Sequence, residues 1–126
     1  KKNINKSTSY SMSETPDSDG CPPCPHGKIL EVYREVLPEL SQPRNWRAND
    51  GTALRARWRE KWKEGKFTDE EGGVSYFGKL FRYVRGSDFL MGKVQGKDGR
   101  AWRADLRWLL KASNFDKVLE GKYHEQ

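Results

Sequence analysis

Cys21, Cys24 and His26 form the first group in the chain whose residue types could do chemistry. A Cys-x2-Cys step lets two thiolates reach one tetrahedral zinc ion, and His124 is available in principle from the far end of the chain. Against zinc, His26 follows Cys24 by only two residues, and the chain holds no second Cys pair. Pro22 and Pro23 between the thiols also resemble a redox pair, yet no βαβ pattern surrounds them. A capping turn at the start of a helix is the preferred reading, with no metal ligand expected here. Phosphate chemistry is poorly supported too. Gly-Lys steps occur at 27–28, 65–66, 78–79, 92–93, 96–97 and 121–122, and none is followed by Ser or Thr, so no P-loop and no ATPase is expected. His26 and His124 are the only near-neutral bases, and neither has a Ser or Cys partner at a recognisable spacing. The chain reads as a non-enzyme, with no catalytic residue, no cofactor and no small-molecule substrate.

The stronger pattern is cationic. Arg55, Arg59 and Lys63 recur at i, i+4 and i+8, one position after the apolar series Leu54, Trp58, Trp62. One residue turns a helix by about 100°, so these cations are expected to flank its buried face. Arg103, Arg107 and Lys111 follow Trp102, Leu106 and Leu110 in the same way, and Lys79, Arg82 and Arg85 accompany Phe77, Phe81 and Val84. Arg44, Arg47, Arg57 and Lys61 add to the total. From Arg44 to Lys66 there are eight basic residues against three acids, and from Lys79 to Lys111 nine against three. The acids collect at Glu31, Glu35 and Glu39 and at Asp69, Glu70 and Glu71. Most charged runs only solvate a helix face. Separation of the signs favours a phosphate-tracking surface instead, to which the bidentate guanidinium of Arg is well suited. Trp58, Trp62, Phe77, Phe81 and Trp102 lie on apolar stripes and are expected to pack. Trp46, Tyr83 and Trp108 are the candidate base-stacking rings.

Composition agrees with a small polyanion-binding domain. The 126 residues carry a formal net charge of +6 and a sequence pI near 9.4. Lys1, Lys2 and Lys6 cancel Glu14, Asp17 and Asp19, so the excess belongs to the part after residue 25. Fourteen of the fifteen aromatic residues lie between Tyr33 and Tyr123, enough for a real core in one domain. No run approaches the roughly eighteen apolar residues of a membrane span, and no signal peptide is evident. Two Cys make no disulfide scaffold, so a cytoplasmic location away from any membrane is expected. The Lys-Lys start without Met reads as a fragment of a longer protein.

The elements that must position these groups follow from periodicity. Residues 1–20 are polar and read as a flexible, disordered linker, closed by the Cys-Pro-Pro-Cys-Pro run; the linker is placed at 1–23 and a helical DNA-binding domain at 24–126. Ile29, Leu30, Tyr33, Val36, Leu37 and Leu40 predict a first helix that Pro38 ends near Leu37. A second is predicted from Asp50 to Glu64 with a stop at Gly65, and a third from Val74 to Arg85, after Gly72-Gly73 interrupts the capping pattern begun at Thr68. Residues 88–101 read as a short hairpin or extended loop turning at Lys97-Asp98-Gly99. Trp102, Leu106, Leu109 and Leu110 define a fourth helix, and Ser113 caps a short fifth that stops at Gly121. The predicted fold is all-α, a compact bundle of four to five helices with at most one short hairpin.

Several segments together resemble the C-terminal domain of phage and prophage DNA replication proteins. They are Cys24-Pro-His, Leu54-Arg-Ala-Arg-Trp-Arg59, Phe81-Arg-Tyr-Val84 with Ser87-Asp-Phe-Leu90, Ala104-Asp-Leu-Arg-Trp-Leu109, and Asn114-Phe-Asp-Lys-Val-Leu-Glu-Gly-Lys-Tyr123. The resemblance covers about residues 24–124, with the closing segment the most specific; Cys21 lies outside it. The module is similar in kind to the single-strand-binding region of primosomal DnaT-type helicase loaders. The resemblance implies a role in starting DNA replication, by binding single-stranded DNA, by helping to recruit the replicative helicase, or both. The expected DNA contacts are Arg47, Arg55, Arg59, Lys63, Lys79, Arg82, Arg103, Arg107 and Lys111, with Trp46 and Trp108. The alternative is a protein–protein adaptor on the helicase or its loader, its charges serving solubility and steering. Sequence-specific binding of duplex DNA ranks last, because no turn motif marks a recognition helix.

Overall fold

A computed structural model describes residues 20–96 and 98–124. Residues 1–19 of the linker expected at 1–23 lie outside them. Five helices follow in order: α1 His26–Val36, α2 Ala48–Lys63, α3 Glu70–Arg85, α4 Leu106–Leu110 and α5 Ala112–Leu119. No helix is long and apolar enough to cross a membrane among the described residues.

Helix α1 starts after Pro25 and buries Ile29 and Tyr33, with Leu37 buried just past its end. Its last turn is closed by neighbours. Gln42 donates its amide to the carbonyls of Leu37 (2.9 Å) and Leu40 (2.8 Å), and Arg85 Nη1 donates to that of Val36 (2.8 Å). A cation there also meets the negative end of the helix dipole. Packing against α3 is edge-on, Tyr33 to Phe81 at 5.3 Å and 79°.

Helix α2 begins two residues earlier than its apolar stripe indicates. The Arg47 N–H donates to the Asp50 carboxylate at 2.9 Å, which satisfies one of the free donors at a helix start. Leu54 and Trp58 are buried as expected, and Trp62 is only partly so. The buried face runs on through Arg57 and Lys61, which are 8% and 5% exposed, at i+3 and i+7 from Leu54. Arg57 Nη1 donates to the Leu110 carbonyl at 2.9 Å while its fork takes Glu60. Lys61 bonds Glu64 and lies 5.5 Å from the Phe115 ring centre.

Helix α3 starts at Glu70, not at Val74. Asp69 caps it by accepting the Gly72 N–H at 2.7 Å, and Glu70 and Glu71 complement the dipole in the first turn. Gly73 is no interruption: a β-carbon there would sit 2.3 Å from Trp58 Cη2 and 2.8 Å from Phe67 Cε2. The glycine lets α3 approach the indole. Around that contact Trp58, Phe67, Phe77, Phe81 and Phe115 form the aromatic centre of the core. Cys21 and Cys24 also belong to the core, and the Trp58 indole N–H donates to the Pro22 carbonyl at 2.8 Å. The folded part thus includes Cys21 and Pro22, which the sequence reading assigned to the linker.

The fourth predicted helix is shorter than expected. Asp105 has extended backbone and accepts the Trp108 N–H at 2.8 Å, so the helix begins at Leu106 and leaves Trp102 and Arg103 outside. Lys111 (ψ 135°) breaks it from α5, which begins at Ala112 with Ser113 inside it, so Ser113 is not its cap. The all-α class stands, with a single antiparallel bridge, Gln95 to Ala101, at the expected hairpin among the described residues. Gly99 supplies the positive φ (81°) that its turn requires.

Candidate nucleic-acid interface

The expected cations do not assemble into two helical ridges. Of Arg103, Arg107 and Lys111, only Arg107 lies within α4. Arg103 packs on Gly92 and donates from Nη1 to the Glu39 carbonyl at 2.8 Å, while Lys111 stands exposed at the α4–α5 corner. On α2, Lys63 is exposed but Arg55 and Arg59 are partly buried, and Arg55 donates to Thr52 Oγ1 at 3.1 Å. Arg57 and Lys61, counted among the cations of the surface, are buried structural groups instead. Lys79 and Arg82 are exposed on α3 with different neighbours: Lys79 shares a depression with Lys66 and Tyr76, and Arg82 lies near Gly78, which also faces Val32. Arg85, from the same α3 series, is held by Glu39 in a two-pronged pair.

One group does converge. Arg44, Arg47 and Arg107 line an open groove of about 430 Å³ together with Ser41, Gln42 and Asn45. No carboxylate lines it among the described residues. The sequence places them on the turn after α1, at the cap of α2 and in α4, and a network holds these elements together. Arg107 Nε donates to Asp50 at 2.9 Å and its Nη2 donates to the Asn45 carbonyl at 2.5 Å. The Arg107 hydrogen bond holds the Asp50 carboxyl below its ordinary range, helped by the Arg47 N–H and opposed by partial burial. Arg107 therefore ties α4 to the cap of α2, and Arg44 and Arg47 stand exposed on the same groove.

The aromatic assignment changes as well. Trp102 was expected in the core but is 40% exposed, because its segment precedes the helix that would have turned it inward. Trp46 and Trp108, the expected stacking rings, are partly buried against the core. Trp46 Nε1 is buried with no hydrogen-bond partner among the described residues. Tyr83 is 41% exposed but carries His124 on one face at 3.8 Å. Phe89, which sequence reasoning never singled out as a contact, is 40% exposed and lies 5.2 Å from Trp102. Its place between Asp88 and Leu90, in a loop without periodicity, gives no signal of exposure.

Cys21, Cys24 and His26 are buried, and no group of three His, Cys, Asp or Glu suited to a metal occurs among the described residues. The His26 ring lies 3.3 Å from where a β-carbon on Gly51 would sit, so it packs under the start of α2. Comparison with known proteins finds no match to a family model, to a curated protein or to a solved structure.

Proposed function

We propose that this domain binds single-stranded DNA as a module of replication initiation in the cytoplasm, and that the Arg44–Arg47–Arg107 groove carries the sugar-phosphate chain. The observation that carries this reading is the groove itself: three arginines line it, Arg44 and Arg47 exposed and Arg107 paired with Asp50, and no carboxylate is among its described lining residues. Guanidinium forks bind phosphate bidentately, and each phosphate neutralised releases counterions. The groove is open to solvent and lined by polar side chains, unlike the enclosed apolar pocket of a small-molecule site. The net charge of +6 steers a polyanion toward the domain. The link to replication rests on the sequence resemblance, as does recruitment of the replicative helicase.

Fluorescence anisotropy with labelled single- and double-stranded oligonucleotides across a salt series tests the reading. Salt-sensitive binding that prefers the single strand supports it. Equal or stronger binding of the duplex, or none of either, refutes it. The adaptor role on the helicase or its loader then takes its place, to be read by pull-down.

A further inference from the structure

Four aromatic rings meet at the edge of the core, two of them, Trp108 and Tyr123, packed against it. Phe89 lies parallel to Tyr123 (5.6 Å, 9°) and close to Trp102 (5.2 Å). Trp102 meets Trp108 at 4.9 Å and Trp108 meets Tyr123 at 5.5 Å, so the four close into a ring of contacts. Even so, Phe89 and Trp102 keep two-fifths of their surface in water. Hydrogen bonds tie their supporting segments together. Ser87 accepts nothing loose: its hydroxyl donates to the Tyr123 carbonyl at 2.6 Å and takes the Leu90 N–H at 3.1 Å, and Ala104 N–H donates to the Leu90 carbonyl at 2.9 Å. Phe89 and Trp102 are held in place and left exposed while Trp108 and Tyr123 back them, an arrangement that burial energy alone does not favour.

We propose that the Phe89–Trp102–Trp108–Tyr123 cluster is a base-stacking platform for the strand whose phosphates the arginine groove holds. The proposal rests on the single-strand reading above and names the part of the ligand that this second surface takes. Two observations favour bases over an apolar protein segment. The first is charge: the chain segment from Asp88 to Arg103 that carries Phe89 and Trp102 holds Lys93, Lys97, Arg100 and Arg103 against Asp88 and Asp98, a net excess of cations along the sequence. The second is position: Arg107 of the groove and Trp108 of the cluster are consecutive in α4, so phosphate and base contacts are one residue apart along the chain. Every base has a π-face, so such a platform gives affinity with little sequence preference.

The test compares the whole chain with its Phe89→Ala, Trp102→Ala and Trp102→Phe forms on a thymidine oligonucleotide and on an abasic strand of equal length. Anisotropy and tryptophan fluorescence are both read. The expected results are quenching of the parent by the thymidine strand, and weakening of its binding by about 5- to 100-fold for each alanine variant. Trp102→Phe should keep most of the affinity, and the parent should bind the abasic strand as weakly as the alanine variants bind thymidine. Circular dichroism shows which variants are folded, and Trp102→Phe carries the comparison if an alanine form is not. Alanine variants that bind the thymidine strand like the parent, or a parent that binds both strands alike, overturn the platform and leave the cluster to a protein partner. The groove reading survives that outcome as long as Arg44→Glu lowers affinity. A parent that binds no strand at all refutes the groove reading first and this proposal with it.

Discussion

The indole of Trp58 occupies the space that a β-carbon on Gly73 would need, with Cη2 2.3 Å from that position. Two elements far apart in sequence thus meet at a residue without a side chain. Gly73→Ala should therefore destabilise the domain by about 1–3 kcal/mol, as overpacking does, even though alanine is the better helix former. Gly27, in α1, has nothing within 4 Å of its β-carbon position. Gly27→Ala should stabilise by about 0.4–1 kcal/mol. Urea unfolding of both variants checks the pair, and a neutral Gly73→Ala would mean that α3 does not approach Trp58 so closely.

Arg57 and Lys63 are both helix-α2 cations, and they should behave differently. Arg57→Ala leaves the buried Leu110 carbonyl without its donor and should cost about 1–3 kcal/mol. Lys63 is exposed, and Lys63→Ala should change stability by less than about 0.5 kcal/mol. Equal effects in thermal melts would place Arg57 on the surface.

Much of the fold was legible in apolar spacing, and the reasons for the exceptions are local. The Ile29–Tyr33–Leu37 series and the Leu54–Trp58 pair predicted their buried faces correctly, since a strong stripe in a long helix has one way to face the core. Trp102 misled because it falls four residues before Leu106 and so imitates a helical stripe, while Asp105 between them prefers to cap. Gly72-Gly73 imitated a break because low helix propensity says nothing of what packs against the missing β-carbon. The candidate site was less legible. Arg57 and Lys61 looked like surface cations, although Glu60 and Glu64 three residues on were a visible sign of local pairing. The Arg44–Arg47–Arg107 groove depends on long-range contact between α2 and α4, which no local pattern carries.

Acid should reveal the Glu39–Arg85 pair. Its two hydrogen bonds, 2.6 and 2.5 Å, hold the Glu39 carboxyl at about 2 against an ordinary 4.5, with a backbone hydrogen bond assisting. A carboxyl whose pKa is lowered by folding stabilises the fold above its unfolded value and loses that contribution as pH falls through the folded one. Melting temperature should accordingly fall between pH 4.5 and about 2, with Asp50, also lowered, adding to the slope. Glu39→Gln should flatten that fall, and less so in high salt, since both partners are about half exposed. A variant with the same pH profile as the parent would show that the pair is not formed in solution.

The salt dependence of binding is the sharpest test of the groove. Single strands give a log–log slope of about −0.7 for each phosphate contacted, so three arginines predict a slope near −2. Arg44→Glu and Arg47→Glu should each lower affinity and make the slope shallower by about 0.7 or more, with the melting temperature nearly unchanged, because both side chains are exposed. Arg107→Glu is the poorer probe. It would set two carboxylates side by side at Asp50 and release the Asn45 carbonyl, so weaker binding would mix lost contact with a loosened α2 cap. The controls belong at Glu31 and Glu35, which are exposed on α1, and not at Glu39, whose carboxylate and carbonyl hold Arg85 and Arg103. Lys63→Glu then reports whether α2 extends the surface beyond the groove: a further loss of slope places its exposed end on the strand. If Arg44→Glu and Arg47→Glu both bind a single strand with the parent's affinity and slope, the phosphates lie elsewhere, and the groove is only the junction that Arg107 makes between α2 and α4.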